Sequence, residues 1–262
     1  MALMQADLAA DAALAAAGGV WAWRARSPDA TVVFAGRDLP DGSRAPLARE
    51  AREARENREN RESREAPENR ESREELLARL AGEDLPVAWA RQIHSARVLA
   101  AHAGQCGEGD ALVGRGRGLA LSVVTADCVP LLLAGPSGIA AAHAGWRGIA
   151  AGVVGATAAA LGGPAGETVA WIGPAIGPCC YEVGQEVAAQ VAAASAADVI
   201  SAGAAGRPHL DLQLAVRCQL QAAGLRRIHV LPLCTRCQDA RLHSYRRDGK
   251  SAGRNHAFIW RP

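Results

Sequence analysis

Three short apolar runs each end on a side chain that can hold a metal: ARQIH at His94, LSVVTADC at Cys128 and GIAAAH at His143. The separations are 34 and 15 residues. Each run has the length of a buried strand, which puts each donor at a strand end, where sites are usually built. Two imidazoles and one thiolate suit zinc, and three protein ligands leave a fourth position open for water or substrate. That is the arrangement of a catalytic centre, since structural sites fill all four positions. Thiolate ligation by Cys128 requires a lowered thiol pKa, which a metal supplies. Asp127 precedes it. Neighbours on a strand face opposite ways, so Asp127 and Cys128 enter one site only if the strand ends there, and Pro130 suggests a break in regular pairing. Asp127 is then a partner for a ligand histidine or a general acid/base, with a turn-capping carboxylate as the equal alternative.

The surrounding words carry more information than the spacing. They read RQIHSARVL, TADCVPLLL and HAGWRG, then GPAIGPCCYEVG, LCT and SYRRDGKSAGR. In this order they resemble the YfiH-like family, long labelled laccase-domain or polyphenol oxidoreductase proteins and also called the peptidoglycan editing factor family. The resemblance runs from about Pro86 to the C-terminus. It implies an α/β sandwich with helices on the outside, His94, Cys128 and His143 as zinc ligands, and zinc-dependent purine nucleoside phosphorylase activity on adenosine, inosine or guanosine. Adenosine deaminase activity is implied as well. The partners it implies are therefore a purine nucleoside and phosphate.

In HAGWRG, Gly145 and Gly148 bracket a turn into a helix N-terminus, where free N–H groups face anions. Arg147 in that turn is placed to grip phosphate or a carboxylate in bidentate fashion. Trp146 is expected to pack under the helix. The stiff loop GPAIGPCCYEVG makes Tyr181 and Glu182 candidates for lining the substrate pocket, with Cys179 and Cys180 read as buried spectators. CTRC at 234–237 has zinc-finger or redox spacing, but no second pair completes a site, and Cys237 reads as incidental. In SYRRDGKSAGR, Arg246 and Arg254 are expected to contact an anion, while a solvated loop accounts for Arg247 and Lys250.

Two other activities compete. Multicopper oxidation needs several copper centres, usually with His-x-His pairs, and this chain has none; copper fits less well than zinc. A metal-free hydrolase would use Cys128 as nucleophile and His143 or His94 as base, on an amide such as those of peptidoglycan precursors, to which members of the family have been linked. A binding protein acting through its charged segment is the non-enzymatic alternative.

The elements that must position these groups follow from pattern. Strands are expected at Thr31–Phe34, Val87–Ile93, Leu119–Ala126, Leu131–Ala134, Ile139–Ala142, Thr168–Ile172, Ile228–Leu231 and Ala257–Trp260. Helices are expected at Ile149–Leu161, Gln185–Ala194 and Leu212–Ala223, and a short amphipathic one carries Leu76, Leu77 and Leu80 with Gly82 as C-cap. Interleaved helices and mixed strands imply an α/β layered fold. The chain then divides into an N-terminal arm with the first strand (1–48), an insert (49–75) and the main domain (76–262). The arm is read as a frayed helix or extended segment; it lacks the basic start of a signal peptide. The insert repeats Arg-Glu-(Ala/Asn/Ser), with eight Arg and ten Glu. A period of three makes no apolar face, so a solvated, disordered or single-helix segment is expected. Asn69 and Arg70 are the match to an NR pair that precedes the first ligand in the family. Phe34 and Arg37 match its N-terminal stretch only loosely, and its NLG stretch is missing.

Of 262 residues, 49% are hydrophobic and 4% aromatic, so small aliphatic residues must fill the core. A net charge of +2 argues against a nucleic-acid surface. Seven irregularly spaced cysteines make no disulfide framework and point to a reducing cytoplasm. No apolar stretch approaches a membrane span. Self-association is left open.

Overall fold

The computed structural model describes residues 13–17, 20–38, 72–203 and 206–262. Residues 1–12, 18–19 and 39–48 of the arm and 49–71 of the insert, with Asn69 and Arg70, lie outside them.

Two mixed sheets are stacked face to face. The strands in chain order are β1 (Ala13–Ala17), β2 (Val20–Arg26), β3 (Thr31–Asp38), β4 (Val87–Arg91), β5 (Val98–Ala100), β6 (Gly104–Glu108), β7 (Ala111–Gly114) and β8 (Ala120–Thr125). They continue as β9 (Val129–Gly135), β10 (Gly138–Ala144), β11 (Val169–Ile172), β12 (Ile200–Ala202), β13 (Pro208–Leu210), β14 (Arg227–Val230) and β15 (Asn255–Trp260). The first sheet runs β1-β2-β3-β15-β8-β4-β6 and the second β14-β11-β9-β10-β7-β5, while β12 and β13 form a separate pair. All eight strands expected from the sequence are present, with ends moved by a few residues. The strands missed are short (β5, β7, β12, β13), polar (β6) or lie in the N-terminal hairpin, where VWAWRAR alternates in a segment read only as an arm. Of the two readings of that arm, the extended one fits Ala13–Ala17.

Side chains alternate across each strand, and the alternation sorts the core into layers. In β9, Leu132 and Ala134 face the other sheet, whereas Leu131 and Leu133 face outward to helices. In β10, Ile139 and Ala141 point inward and Ala140 and Ala142 outward. The inter-sheet layer adds Trp21, Trp23, Phe34, Leu121 and Trp171. Outside the first sheet lies α1 (Arg73–Ala81), whose Leu76, Leu77 and Leu80 pack on Val33, Val87, Phe258 and Trp260. A capping box starts it: Ser72 accepts from Glu75 N–H while Glu75 accepts from Ser72 N–H. Left-handed Gly82 ends it. Outside the second sheet lie α2 (Trp146–Ala150), α3 (Val153–Leu161), α4 (Gln185–Ala194) and α5 (Leu212–Ala222). The single helix expected over Ile149–Leu161 is thus two, because Gly152 adopts φ 86 and breaks it. The result is a single-domain α/β sandwich with helices on both outer faces. Among the described residues no helix is long and apolar enough to cross a membrane.

Candidate functional site

The site forms where the chain crosses between sheets. Strands β4 and β8 lie side by side and parallel in the first sheet, so their C-terminal ends coincide. Beyond β4 the chain passes through His94 to β5 of the second sheet, and beyond β8 through Asp127 and Cys128 to β9. Gln92 stitches the two exits together, donating to Val124 O at 2.7 Å and accepting from Val124 N at 2.9 Å. Both crossovers turn sharply. His94 (φ 59) and Asp127 (φ 91) are the non-glycine residues with positive φ among the described residues, a conformation that persists only when surrounding bonds hold it. His143 lies on β10 opposite Pro130 of β9. It shares the inward parity of Ile139 and Ala141, so its ring faces the gap between the sheets.

These placements bring the donor atoms of His94, Cys128 and His143 within 4.8 Å of one another. Cys128 Sγ lies 3.9 Å from His94 Nε2, and the two imidazoles meet edge to face at 4.8 Å between centroids. Metal bonds of about 2.1 Å to nitrogen and 2.3 Å to sulfur, at tetrahedral angles, set N···S near 3.6 Å; the three donors fit one ion. Gly145 is required beside them, since a Cβ there would sit 2.9 Å from Cys128 Sγ and 3.0 Å from His94 Cδ2. His143 is buried and His94 exposed, so the centre opens to solvent on one side.

The carboxylate that orients the centre is Asp110, which sequence reasoning missed. It is 1% exposed. Its Oδ1 accepts from His143 Nδ1 and His94 N–H, both at 2.9 Å. Its Oδ2 accepts from Ser95 N–H at 2.6 Å, Ser95 Oγ at 2.8 Å and Ile93 N–H at 3.2 Å. One buried side chain therefore holds the left-handed turn at His94 and fixes the His143 tautomer with Nε2 toward Cys128. Burial pushes the Asp110 pKa up, but the bonds from His143 and Ser95 hold it below the usual carboxylate range. Burial likewise raises the Cys128 thiol, and contacts with His143 and His94 bring it down to about 6. Burial lowers His143, while Asp110 and Cys128 raise it to about 9. No motif or periodic run in the sequence singles out Asp110.

Of the readings open for Asp127, its bonds fit the capping carboxylate and not the histidine partner. Its Oδ1 accepts from Thr235 Oγ1 and its Oδ2 from Arg246 N–H, both at 2.6 Å, and its carbonyl accepts from Ile176 N–H at 2.9 Å. It ties the β8–β9 crossover to two loops that wall a cavity of about 630 Å³. That cavity is lined by the three donors together with Asp127, Arg147, Tyr181, Tyr245, Arg246 and Arg254. Arg147 is exposed in the first turn of α2 and lies over Trp146 at 4.4 Å; Trp146 both packs on the core and faces the cavity. Arg246 stacks over Tyr181 at 5.1 Å and donates to Glu182 O at 3.0 Å. Burial pushes the Tyr181 hydroxyl up to about 12. Arg254 is exposed and donates to Ala252 O and Gly253 O. Glu182 points away, bridging Arg207 at 3.1 Å, and does not line the cavity.

Two readings change. Arg247 is a brace and not a solvated side chain: it donates to Thr235 O, Arg236 O and Leu242 O and pairs with Asp248. Arg37 is tied to the same loop through Asp248 at 3.1 Å and Asp239 O at 3.0 Å, while Phe34 belongs to the core. CTRC is not alone either. Cys179 and Cys180 lie beside Cys234 and Cys237, and Cys179 is exposed, not buried.

Fold and site together define an α/β sandwich with a three-donor centre able to hold a metal ion, at the mouth of a cationic cavity. Residues 57–262 match the family described as multi-copper polyphenol oxidoreductase laccase. A purine nucleoside phosphorylase of Pseudomonas aeruginosa is 41% identical over 179 residues, 66% of this chain and 73% of that protein. The Escherichia coli purine nucleoside phosphorylase YfiH is 38% identical over 181 residues, covering 66% and 72%. The crystal structure of Neisseria meningitidis protein NMB0706 superposes with a TM-score of 0.70 at 28% identity, over 93% of this chain and 99% of that one. YlmD of Geobacillus stearothermophilus gives 0.66 at 28% identity, over 94% and 93%. The chain belongs to the YfiH-like family.

Proposed function

We propose that this chain is a purine nucleoside phosphorylase, converting a purine nucleoside and phosphate into the free base and ribose 1-phosphate. The observation that carries the reading is the cavity itself. Three guanidinium groups, Arg147, Arg246 and Arg254, line the same space as the three-donor centre, and about 630 Å³ suits a ligand of nucleoside size. The names of the relatives support the reaction class.

The arginines hold phosphate against C1′ of the ribose, making the attack effectively intramolecular. One phosphate oxygen bonds to C1′ as the C1′–N9 bond breaks, and the electron pair leaves with the purine. Positive charge develops on the sugar beside the phosphate that Arg147 and Arg246 orient. Tyr181 lines the same cavity, and its protonated hydroxyl is available there as a donor to substrate. Asp127 is assigned a positioning role: with both oxygens already engaged, it keeps Thr235 and the Arg246 backbone in place.

His94, Cys128 and His143 would hold zinc, for which two imidazoles and a thiolate with a fourth position left open are suited. When bound, zinc offers an open position that polarises a substrate oxygen or lowers the pKa of water toward ~7, which would also allow deamination of adenosine at C6. Multicopper chemistry is not supported: among the described residues these three donors are the only group of their kind holding histidine. The irregular cysteine spacing, which makes no disulfide framework, fits a reducing, cytoplasmic setting.

Incubation with adenosine and inosine, with and without phosphate, followed by chromatography tests the proposal. Phosphate-dependent release of adenine and hypoxanthine is expected, with inosine from adenosine as the second activity. Absence of turnover by zinc-loaded protein with both nucleosides would overturn it, and a Cys128 hydrolase would then be the reading to pursue.

A further inference from the structure

Four thiols with no part in that reaction converge behind the Tyr181 wall of the cavity. Cys179 and Cys180 lie in the proline-bearing loop after β11, and Cys234 and Cys237 bracket the turn that leaves β14. The two loops run side by side: Ala175 N–H donates to Leu233 O at 3.2 Å and Thr235 N–H to Ala175 O at 3.0 Å. All four sulfurs consequently lie within 4.8 Å of one another. Cys237 Sγ is 3.4 Å from Cys180 Sγ and 3.7 Å from Cys179 Sγ.

The four thiols are free, and these two separations lie well beyond a disulfide bond of about 2.05 Å. They match one tetrahedral ion, since four bonds of about 2.3 Å place sulfurs about 3.8 Å apart. The backbone is also arranged for thiolate. Gly177 N–H donates to Cys234 Sγ at 3.3 Å, and a Cβ at Gly177 would crowd Cys234 Cβ at 3.3 Å and Cys179 Sγ at 3.4 Å. The C-x-x-C at 234–237 supplies half of a four-sulfur set, and a vicinal pair from a loop 54 residues upstream supplies the other half.

We propose that Cys179, Cys180, Cys234 and Cys237 bind a single zinc ion as a closed structural site, separate from the three-donor centre. Four thiols lose four protons to solvent as the ion binds, and the complex carries a net charge of −2. Its effect on the cavity is to clamp the residues next in line: Tyr181 follows Cys180, and Thr235, the Asp127 partner, follows Cys234. The proposal does not depend on the reaction assigned above.

The test is metal analysis of the full-length chain, purified under reducing conditions with zinc present. Elemental mass spectrometry should find two zinc ions per chain, one in Cys237→Ser, one in Cys128→Ser and none in the double variant. On the unmodified chain, zinc should protect Cys179, Cys180, Cys234 and Cys237 from alkylation, and a chelator should release them. Equal alkylation of exposed Cys237 with and without zinc would overturn the proposal even if a variant failed to fold. Iron in place of zinc, or a disulfide among the four, would overturn it as well.

Discussion

Replacing Asp110 by Asn tests whether one buried carboxylate builds the three-donor centre. The substitution keeps the shape and removes the charge and one acceptor. Oδ2 accepts three bonds and Oδ1 two, so the amide settles with its oxygen toward Ser95 and Ile93 and its NH₂ toward His94 N–H and His143 Nδ1. Two acceptor contacts are then lost. At about 1.5–3 kcal/mol for each bond to a charged group, the apo fold should lose roughly 3–6 kcal/mol. The chemical consequence is sharper. Facing an N–H donor, His143 must accept at Nδ1 and carry its proton on Nε2, the nitrogen the metal needs. Zinc affinity should fall by at least the ~10–100-fold typical of partners behind metal ligands. Competitive titration against a chromophoric chelator reads the affinity, and urea unfolding of the zinc-free chain reads the stability. Unchanged affinity for zinc at the three-donor centre in a folded Asp110→Asn chain would refute the orienting role.

In the zinc-free chain, Cys128 is thiolate above about 6 and His143 is imidazolium below about 9, so the ion pair exists between those values. Zinc capture at this centre should therefore release close to one proton from His143 between pH 6 and 9, and more below pH 6 as Cys128 protonates; calorimetry of Cys237→Ser in buffers of different ionisation enthalpy measures it. Arg147→Ala should retain zinc while raising the phosphate KM roughly 10- to 100-fold, the loss of one bidentate ionic contact, whereas His94→Ala, Cys128→Ala or His143→Ala should lose the centre's zinc and turnover together. Deletion of residues 49–71 should leave turnover within about twofold, while deletion through Glu75 also removes the Ser72–Glu75 capping box and should cost a further ~0.5–2 kcal/mol in thermal unfolding.

How much was legible in the sequence depends on how local each signal is. The near-continuous apolar runs of β8, β9, β10 and β15 could be read directly, because burial on both faces leaves a long apolar word. The donors could be read because each closes such a word. Asp110 could not, since its importance comes from meeting His94 and His143 across two chain crossovers. For Asp127 the capping reading is the one its bond from Arg246 N–H fits, while the bracing role of Arg247 is not legible because three of its partners are carbonyls of distant turns, which composition does not mark. Cys237 was discounted because a C-x-x-C was weighed alone, and only the pairing of two loops reveals the second half.

The two strained residues show why the centre sits where it does. A chain leaving one sheet for the other must turn through about a layer's thickness within two or three residues, and positive φ at His94 and Asp127 achieves this. Each such residue costs on the order of 1–3 kcal/mol. At His94 the cost is offset by three N–H bonds to Asp110, and at Asp127 by its own carboxylate reaching Thr235 and Arg246. The same bonds that make the crossovers tolerable aim His94, Cys128 and His143 at one point. Strain and donor geometry therefore have a common cause, so a variant that relaxes either crossover is expected to lose the metal centre before it loses the fold.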